Sequence, residues 1–375
     1  MQGAAPFGAA LSTGKSAEKM SDQTVTIQAE DLRAWEEEIF RKMNFTPEGA
    51  AMVADSLLEA DLRGVSSHGA IRIPVYCARL EHEVVFPDSP VDVAVDFGAV
   101  AVIDGHNMFG QVSGTRAMHL AMEKAERFGI GCVGVRNSHH FGTAAYYAQM
   151  ALEKDMIGFS TTNTTPLMPP MGGLKKMIGN NPVAYAIPAG KYDPVVFDMA
   201  CSTVAHGKIQ VAARTGAEIP LGWATDTEGN PTTDSRKALE GFLYPVGGHK
   251  GFGLAEVMDI LCGPLVGGGC GGDITGLKGC YEKPQDCGHL FIAIDVAKFG
   301  DVEQFKKRVD DYIEYIKSCP INDSVSEVYM PGEIEFRIRR ERLEKGIPLP
   351  TAIVDDLKAL SEKLGIDKER RMTHD

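Results

Sequence analysis

The chain has 375 residues, of which 44% are hydrophobic and 24% charged; this is ordinary globular usage, and the length suits two or three domains of the usual about 100–200 residues. No uninterrupted apolar run approaches the roughly 18–20 residues that cross a bilayer, so no membrane partner is expected. A formal charge of −13 repels phosphate backbones and argues against nucleic acid, and it means that a small anionic substrate needs placed Arg, Lys or His residues around it.

Residues 1–19 are rich in Ala, Gly and Ser, and a more ordinary sequence begins at Met20. With neither the apolar h-region of a secretion signal nor an Arg-rich amphipathic pattern, residues 1–22 are expected to be a disordered extension. Thr46-Pro47-Glu48 ahead of Ala50, Val53, Leu57 and Ala60 supplies an N-cap, a first-turn Pro and an apolar face at helical spacing, so a helix is predicted that Gly64 ends. Ser66-Ser67-His68-Gly69 follows, placing His68 in a Gly-containing turn before another helix-like run with Arg72 and Tyr76. Met118, Ala121, Met122 and Ala125 line one face of a further helix closed by Gly129, and Ile130 to Val135 reads as a strand. Beyond Asn137-Ser138-His139-His140-Phe141-Gly142, a helix from Thr143 to Glu153 and a strand from Met156 to Phe159 complete a β-loop-α-β unit, the kind of crossover that joins parallel strands. His140 is therefore expected between a strand's carboxyl end and a helix start, where open α/β sheets bind ligands and helix N-termini favour anions. Strands are predicted at 183–187, 195–199 and 290–294, a helix from Lys250 through Leu254, Val257, Met258 and Leu261, and amphipathic helices at 302–318 and 351–364 before a charged tail. No repeat or low-complexity linker marks a domain boundary, and the fold class is α/β.

Eight cysteines are scattered at 77, 132, 201, 262, 270, 280, 287 and 319 without CxxC or zinc-type His spacing, which reads as reduced thiols of a cytoplasmic protein with no metal site. Gly267 to Gly272 formally matches GxGxxG, but the run follows a helix instead of a strand and opens no helix, so a flexible loop is the better reading.

The chemistry concentrates elsewhere. A hydride leaving a secondary alcohol requires the hydroxyl proton to go to a base, and His suits that task near neutrality; His68 and His140 are both candidates, against the plainer reading of hydrogen-bonded structural histidines. Arg72, four residues after His68, would face the same cleft on a helix start, and its guanidinium fork binds carboxylates. Lys250, in Gly247-Gly248-His249-Lys250-Gly251 at a helix start, is unfavourable there without a nearby anion, which makes it a candidate for a phosphate or substrate. Lys208, after His206-Gly207, is less decisive, and a solvated lysine is the plain alternative for both.

Ser67-His68-Gly69 with Arg72, the Asn137–Gly142 run, Gly179-Asn180-Asn181-Pro182, Asp198-Met199-Ala200, Gly207-Lys208, Pro231-Thr232-Thr233-Asp234, His249-Lys250-Gly251 and Pro331-Gly332-Glu333 occur in an order that resembles the malate/L-lactate dehydrogenase family, which includes ureidoglycolate and sulfolactate dehydrogenases, diketogulonate reductases and piperideine-carboxylate reductases. The resemblance runs from about Thr26 to Gly365. It implies a non-Rossmann NAD(P)-binding fold of the L-sulfolactate/malate dehydrogenase type with discontinuous domains: a helical dimerisation and substrate domain from 23–90 plus 300–375, and an NAD(P)-binding α/β region at 91–299. It also implies a homodimer using NAD or NADP, held by His140, Phe141, Gly142, Thr143, Ala144, Thr164, Asp198, Met199, Ala200, His249, Lys250, Pro331, Gly332 and Glu333. His68 is the expected acid/base, with His140 the alternative and Ser67 and Lys208 beside them; Arg72 holds the substrate carboxylate, with Tyr76 and Asn180 as further substrate contacts. The imine-reducing branch is similar but carries Asp at the place of Lys208, which favours a small (S)-2-hydroxy acid of malate or lactate type over a cyclic imine; a catalytically silent NAD(P)-binding protein is the remaining alternative. Which hydroxy acid and which nicotinamide cofactor are used stay open at this level.

Overall fold

The computed structural model describes residues 24–366; the expected extension at 1–22 and the end of the charged tail lie outside them. The chain opens with strand β1 (Thr24–Ile27), helices α1 (Ala29–Lys42), α2 (Pro47–Leu62) and α3 (Ile73–Glu81), then strands β2 (Asp92–Phe97) and β3 (Val100–Met108). Helix α4 (Gly110–Phe128), strand β4 (Ile130–Ser138), helix α5 (Ala144–Met150) and strands β5 (Met156–Thr162), β6 (Val183–Ile187) and β7 (Val195–Met199) follow. The remainder is α6 (His206–Thr215), β8 (Ala224–Thr225), β9 (Pro231–Thr232), α7 (Ser235–Glu240), α8 (His249–Cys262), β10 (Cys287–Asp295), α9 (Val302–Lys317), α10 (Glu333–Lys345), β11 (Ile347–Pro350) and α11 (Thr351–Leu364).

Among the described residues the largest sheet has seven strands in the order β2-β3-β4-β10-β5-β6-β7. Strands β3 and β4 are parallel neighbours joined through α4, but the expected β4-α5-β5 crossover does not join adjacent strands: β10 lies between them, antiparallel to both. The apolar run of β10 explains the insertion: Phe291 and Ala293 are buried in one hydrophobic cluster and Leu290, on the opposite face, in another, and a strand covered on both faces belongs at the centre of a sheet. Helix α5 is shorter than its apolar pattern suggested and tightens into a 3-10 turn at Ala151–Lys154. The glycine run at 267–272 connects α8 to a single 3-10 turn, Gly271–Asp273, consistent with a loop.

Local signals account for the helices nearest the site. Thr46 caps α2 by accepting from the Gly49 amide at 3.1 Å, with Pro47 in the first turn. Leu32, Trp35, Ile39 and Phe40 form the buried stripe of α1. They join Val53 and Leu57 of α2, Ile73 and Tyr76 of α3, and Ile347, Val354 and Leu357 from the far end of the chain in one hydrophobic cluster. Antiparallel pairing of β1 with β11, from Thr24 opposite Pro350 to Ile27 opposite Ile347, fastens the two ends of the chain together. A second cluster lies between α4, α5 and the sheet. Tyr76 and Phe109, with ring centroids 4.9 Å apart, bring α3 against the start of α4.

Trp35 donates its indole N–H to the Ser361 hydroxyl at 2.7 Å, tying α1 to α11 in a buried setting. Ser361→Ala leaves that donor without a partner and should lower the free energy of unfolding by about 1–3 kcal/mol in denaturant titration; an unchanged midpoint and slope would show that the bond contributes nothing.

Candidate active site

The segment between α2 and α3 forms two 3-10 turns, Ser66–His68 and Ala70–Arg72, broken at Gly69. It is not the single helix start that four-residue spacing between His68 and Arg72 implied. The break is built by Asp61: its carboxylate accepts the Ala70 amide at 2.7 Å and packs so tightly on Gly69 that a Cβ there would lie 2.1 Å from the carboxyl carbon. Arg342 donates to the Asp61 carbonyl from the other side. Burial pushes the Asp61 carboxyl up to about 6, against the pull of the Ala70 amide, and raises neighbouring Glu36 well above its ordinary range. The turn is thus held by Asp61, with the buried Glu36 near enough to feel its charge, and sequence reading missed both because neither departs from ordinary helical usage.

On this turn the Ser67 hydroxyl meets His68 Nδ1 at 2.9 Å, and Arg72 Nε donates to the Ser67 carbonyl at 2.6 Å. The second histidine arrives from the sheet. His140 sits between β4 and α5, as expected, and its ring stacks on His68 with centroids 5.5 Å apart and planes 16° from parallel. Tyr76, fully buried, reaches His140 Nδ1 with its hydroxyl at 2.7 Å. Burial lowers His68 to about 3, with Arg72 adding to the shift, and holds His140 well below the usual histidine range, helped by Arg72 and His68. Both rings are therefore uncharged near neutrality. His139, the other member of the His-His pair, is fully buried beside Phe109, 6.4 Å between centroids.

The turn that carries His140 is braced on every side. Phe141 is stacked between Tyr147, 4.7 Å away, and His289, 4.8 Å away; Tyr147 also donates to the Phe141 carbonyl. His289 is itself fixed by Thr162 at 2.7 Å and Ser138 at 2.8 Å. Gln285 accepts the His140 amide at 3.1 Å. Gly142 has φ +85°, and a Cβ there would meet the Ser56 hydroxyl at 2.9 Å, so both conformation and space demand glycine. Two uncharged imidazoles beside a guanidinium can bind a carboxylate and move one proton, the needs of hydroxy-acid oxidation or keto-acid reduction.

The family profile for malate/L-lactate dehydrogenase matches residues 27–358. The chain belongs to this family. It is 43% identical over 333 residues to L-sulfolactate dehydrogenase of Methanothermobacter thermautotrophicus, covering 88% of this chain and 95% of that protein. It is 39% identical over 343 residues to malate/(S)-sulfolactate dehydrogenase of Methanothermus fervidus, covering 91% and 98%. The solved malate dehydrogenase of Pyrococcus horikoshii OT3 superposes with a TM-score of 0.86 at 34% identity, covering 93% of this chain and 98% of that one.

Within this malate/L-lactate dehydrogenase chain the other expected site residues fall into separate groups. Asp198, in β7, accepts the Ala145 amide at 2.8 Å and so caps the helix that begins with Thr143 and Ala144; although the residue presents surface, the protein around its carboxyl lifts it to about 6. Met199 ends the same strand and Ala200 follows it. Pro331 joins this group, its carbonyl accepting the Val196 amide at 2.9 Å, with Gly332 and Glu333 opening α10; Glu333 pairs with Lys317 at 2.7 Å. Thr164 donates to the Asn180 side chain at 2.9 Å, while Asn181, quoted in the same motif but given no role from sequence, accepts the Thr164 amide and donates to the Ala255 carbonyl of α8. His249 and Lys250 stand exposed at the start of α8, and Lys208 is exposed in the first turn of α6; among the described residues no direct side-chain contact joins these three to the paired imidazoles. His206, at the start of α6, is nevertheless close enough to Arg72 and Lys176 to be lowered by them, after burial.

Because Arg72 lowers His68 through its charge, Arg72→Ala should move the His68 titration upward, toward 6.5, in a histidine-resolved NMR titration. A titration left where the wild type has it would mean that burial alone sets the value.

Proposed function

We propose that this protein is an NAD(P)-dependent dehydrogenase that interconverts a small (S)-2-hydroxy acid, of malate, lactate or sulfolactate type, with its 2-keto acid. The observation that carries the reading is the face-to-face pair His68–His140 with Arg72 beside it. Arg72 is read as the carboxylate clamp and Asn180 as a further substrate contact; Tyr76, expected to touch the substrate, is fully buried with its hydroxyl engaged by His140 and Gln111, and is read as acting through His140. His68 is read as the acid/base, its Nδ1 held by Ser67 so that the imidazole keeps one orientation. Its lowered pKa keeps the base form ready for oxidation; the hydroxyl proton passes to His68, and the substrate carboxylate offsets the Arg72 charge that would otherwise oppose the imidazolium. Binding of the acid thus prepares its own deprotonation.

The chemistry supplied by the bound nicotinamide is acceptance of the hydride from C2, or its return. The donor set fits such a cofactor. Helix α8 starts after Gly247 and Gly248, both with positive φ and with open space where a Cβ would stand; its N-cap offers no side-chain acceptor to the first amides, and Lys250 is exposed there. Free amides and a lysine at a helix N-terminus suit the phosphates. The His140–Ala144 turn, Thr164, Asp198 to Ala200 and Pro331 to Glu333 complete the proposed cofactor side, in a non-Rossmann arrangement without a Gly-rich fingerprint. Lys208 is kept as a lysine at the margin of the site. The same reading places substrate recognition and dimer formation in the helical region at the two chain ends and cofactor binding in the 91–299 region. Val95 and Phe97 on edge strand β2, 50% and 80% exposed, offer the kind of apolar surface a second subunit covers.

Absorbance assays of a 2-keto-acid panel with NADH and NADPH in parallel should show turnover with oxaloacetate, pyruvate or sulfopyruvate. Preference for a cyclic imine, or cofactor binding with no turnover, would contradict the proposal. His68→Ala should lower kcat by about 10²–10⁴-fold while nicotinamide fluorescence still reports cofactor binding; near-normal turnover would remove His68 from the chemistry. In the oxidation direction, the acid limb of kcat/KM should fall below pH 6.5, since the base form of His68 persists to lower pH than that of a free histidine.

A further inference from the structure

We propose that Gln111, acting through Tyr76, and the Gly142 amide lock His140 in the Nε2–H tautomer, so that His140 serves as a neutral hydrogen-bond donor to the substrate's C2 oxygen and leaves proton transfer to His68 alone. The proposal rests on the dehydrogenase reading and assigns the two histidines different tasks.

The direction of the hydrogen bonds follows from a group that can only donate. The Gly142 amide points at His140 Nδ1 at 3.3 Å, so this nitrogen must present a lone pair. The Tyr76 hydroxyl, 2.7 Å from the same atom, then has to donate to it. That leaves the Tyr76 oxygen as an acceptor, and Gln111 Nε2 fills the role at 2.9 Å. Gln111 is fully buried on α4, and its Oε1 has no partner. Turning the amide over would set Oε1 against Tyr76, draw the hydroxyl proton away from His140 and leave two acceptors, Oε1 and His140 Nδ1, competing for one hydrogen. The observed orientation satisfies Tyr76, His140 and Gly142 together at the cost of one unmet carbonyl oxygen.

With Nδ1 occupied by two donors, the one proton of a neutral imidazole sits on Nε2, for which no protein acceptor is found among the described residues. In that state His140 has no lone pair with which to accept the proton of a hydroxy acid. It polarises a carbonyl through its N–H, a role open to an uncharged imidazole. A second proton on Nδ1 would require Gly142 and Tyr76 to turn away and would place a cation beside Arg72. His68 differs in kind: its Nδ1 faces the Ser67 hydroxyl, which accepts as readily as it donates, so Nε2 of His68 alternates between base and acid. In keto-acid reduction, hydride adds to C2, the C=O π pair moves to oxygen, and that oxygen takes the proton from His68 while His140 holds it in place; oxidation runs the same steps backward.

The test combines a spectroscopic readout with a kinetic one. ¹⁵N-histidine NMR of the whole chain, with His140 assigned by His140→Gln, should show His140 as the Nε2–H tautomer without titration between pH 5 and 9. With the long Gly142 contact left as the main lock, Tyr76→Phe and, less strongly, Gln111→Leu should let an Nδ1–H fraction appear and lower kcat by about 10-fold or more in Tyr76→Phe, with KM for the keto acid changed far less. His140→Gln, which retains an N–H donor, should keep at least about 10-fold more activity than His140→Leu and the wild-type pH limb, whereas His68→Gln abolishes that limb. An Nδ1–H tautomer in the wild-type spectrum overturns the proposal without any variant needing to fold, as does loss of the limb in His140→Gln with its survival in His68→Gln. If no keto acid of the panel is reduced, the dehydrogenase reading is what fails, and the tautomer measurement still decides the lock.

Discussion

Two imidazole rings stacked 5.5 Å apart next to a guanidinium constrain everything else in this site. At an effective dielectric constant of about 20, two positive charges at that separation repel by about 3 kcal/mol, and Arg72 acts on both rings in the same sense. The resting pair is therefore uncharged, and an anion that balances Arg72 would ease the entry of a proton. Local electrostatics of this kind favour a small organic anion, despite the strongly negative charge of the chain as a whole.

The fold supplies the two rings from different places. His68 belongs to the break between α2 and α3, held open by the Asp61 carboxylate on the Ala70 amide and by the absence of a side chain at Gly69. His140 belongs to the turn between β4 and α5, clamped by the Tyr147–Phe141–His289 stack and by Gln285. Tyr76 bridges them: it stems from α3, packs on Phe109 before α4 and bonds to His140. Closure of β1 on β11 and burial of α11 against α1 tie together the helical half from which that bridge springs.

Much of this was legible in the residues. The caps at Thr46 and Gly129, the strands at 183–187 and 195–199 and the helices at 302–318 and 351–364 follow from local pattern, and their bounds agree with the observed elements to within a residue or so. Strand β10 was seen, but its place between β4 and β5 was not, because pairing partners distant in sequence leave no local trace. The four-residue spacing of His68 and Arg72 suggested one helix start; the carboxylate that breaks it lies seven residues upstream of His68 and looks like any helical acid. Gln111 and Gln285 were missed for the same reason, being ordinary amides whose importance arises only when tertiary packing sets them against Tyr76 and His140. Conversely, Lys250 was named from its place at a helix start, Lys208 from its place after His206-Gly207 and His249 from motif order, and all three stand exposed and without direct contact to the imidazole pair.

The central claim is that both imidazoles and Arg72 converge on one organic acid. A crystal structure of the ternary complex with reduced cofactor and oxamate, an unreactive analogue of a 2-keto acid, tests it most directly. The account predicts the oxamate carboxylate on Arg72 and its C2 oxygen within about 3 Å of both His68 Nε2 and His140 Nε2. Oxamate seated against Lys208 or Lys250, with the imidazoles out of hydrogen-bonding reach of it, would contradict the account.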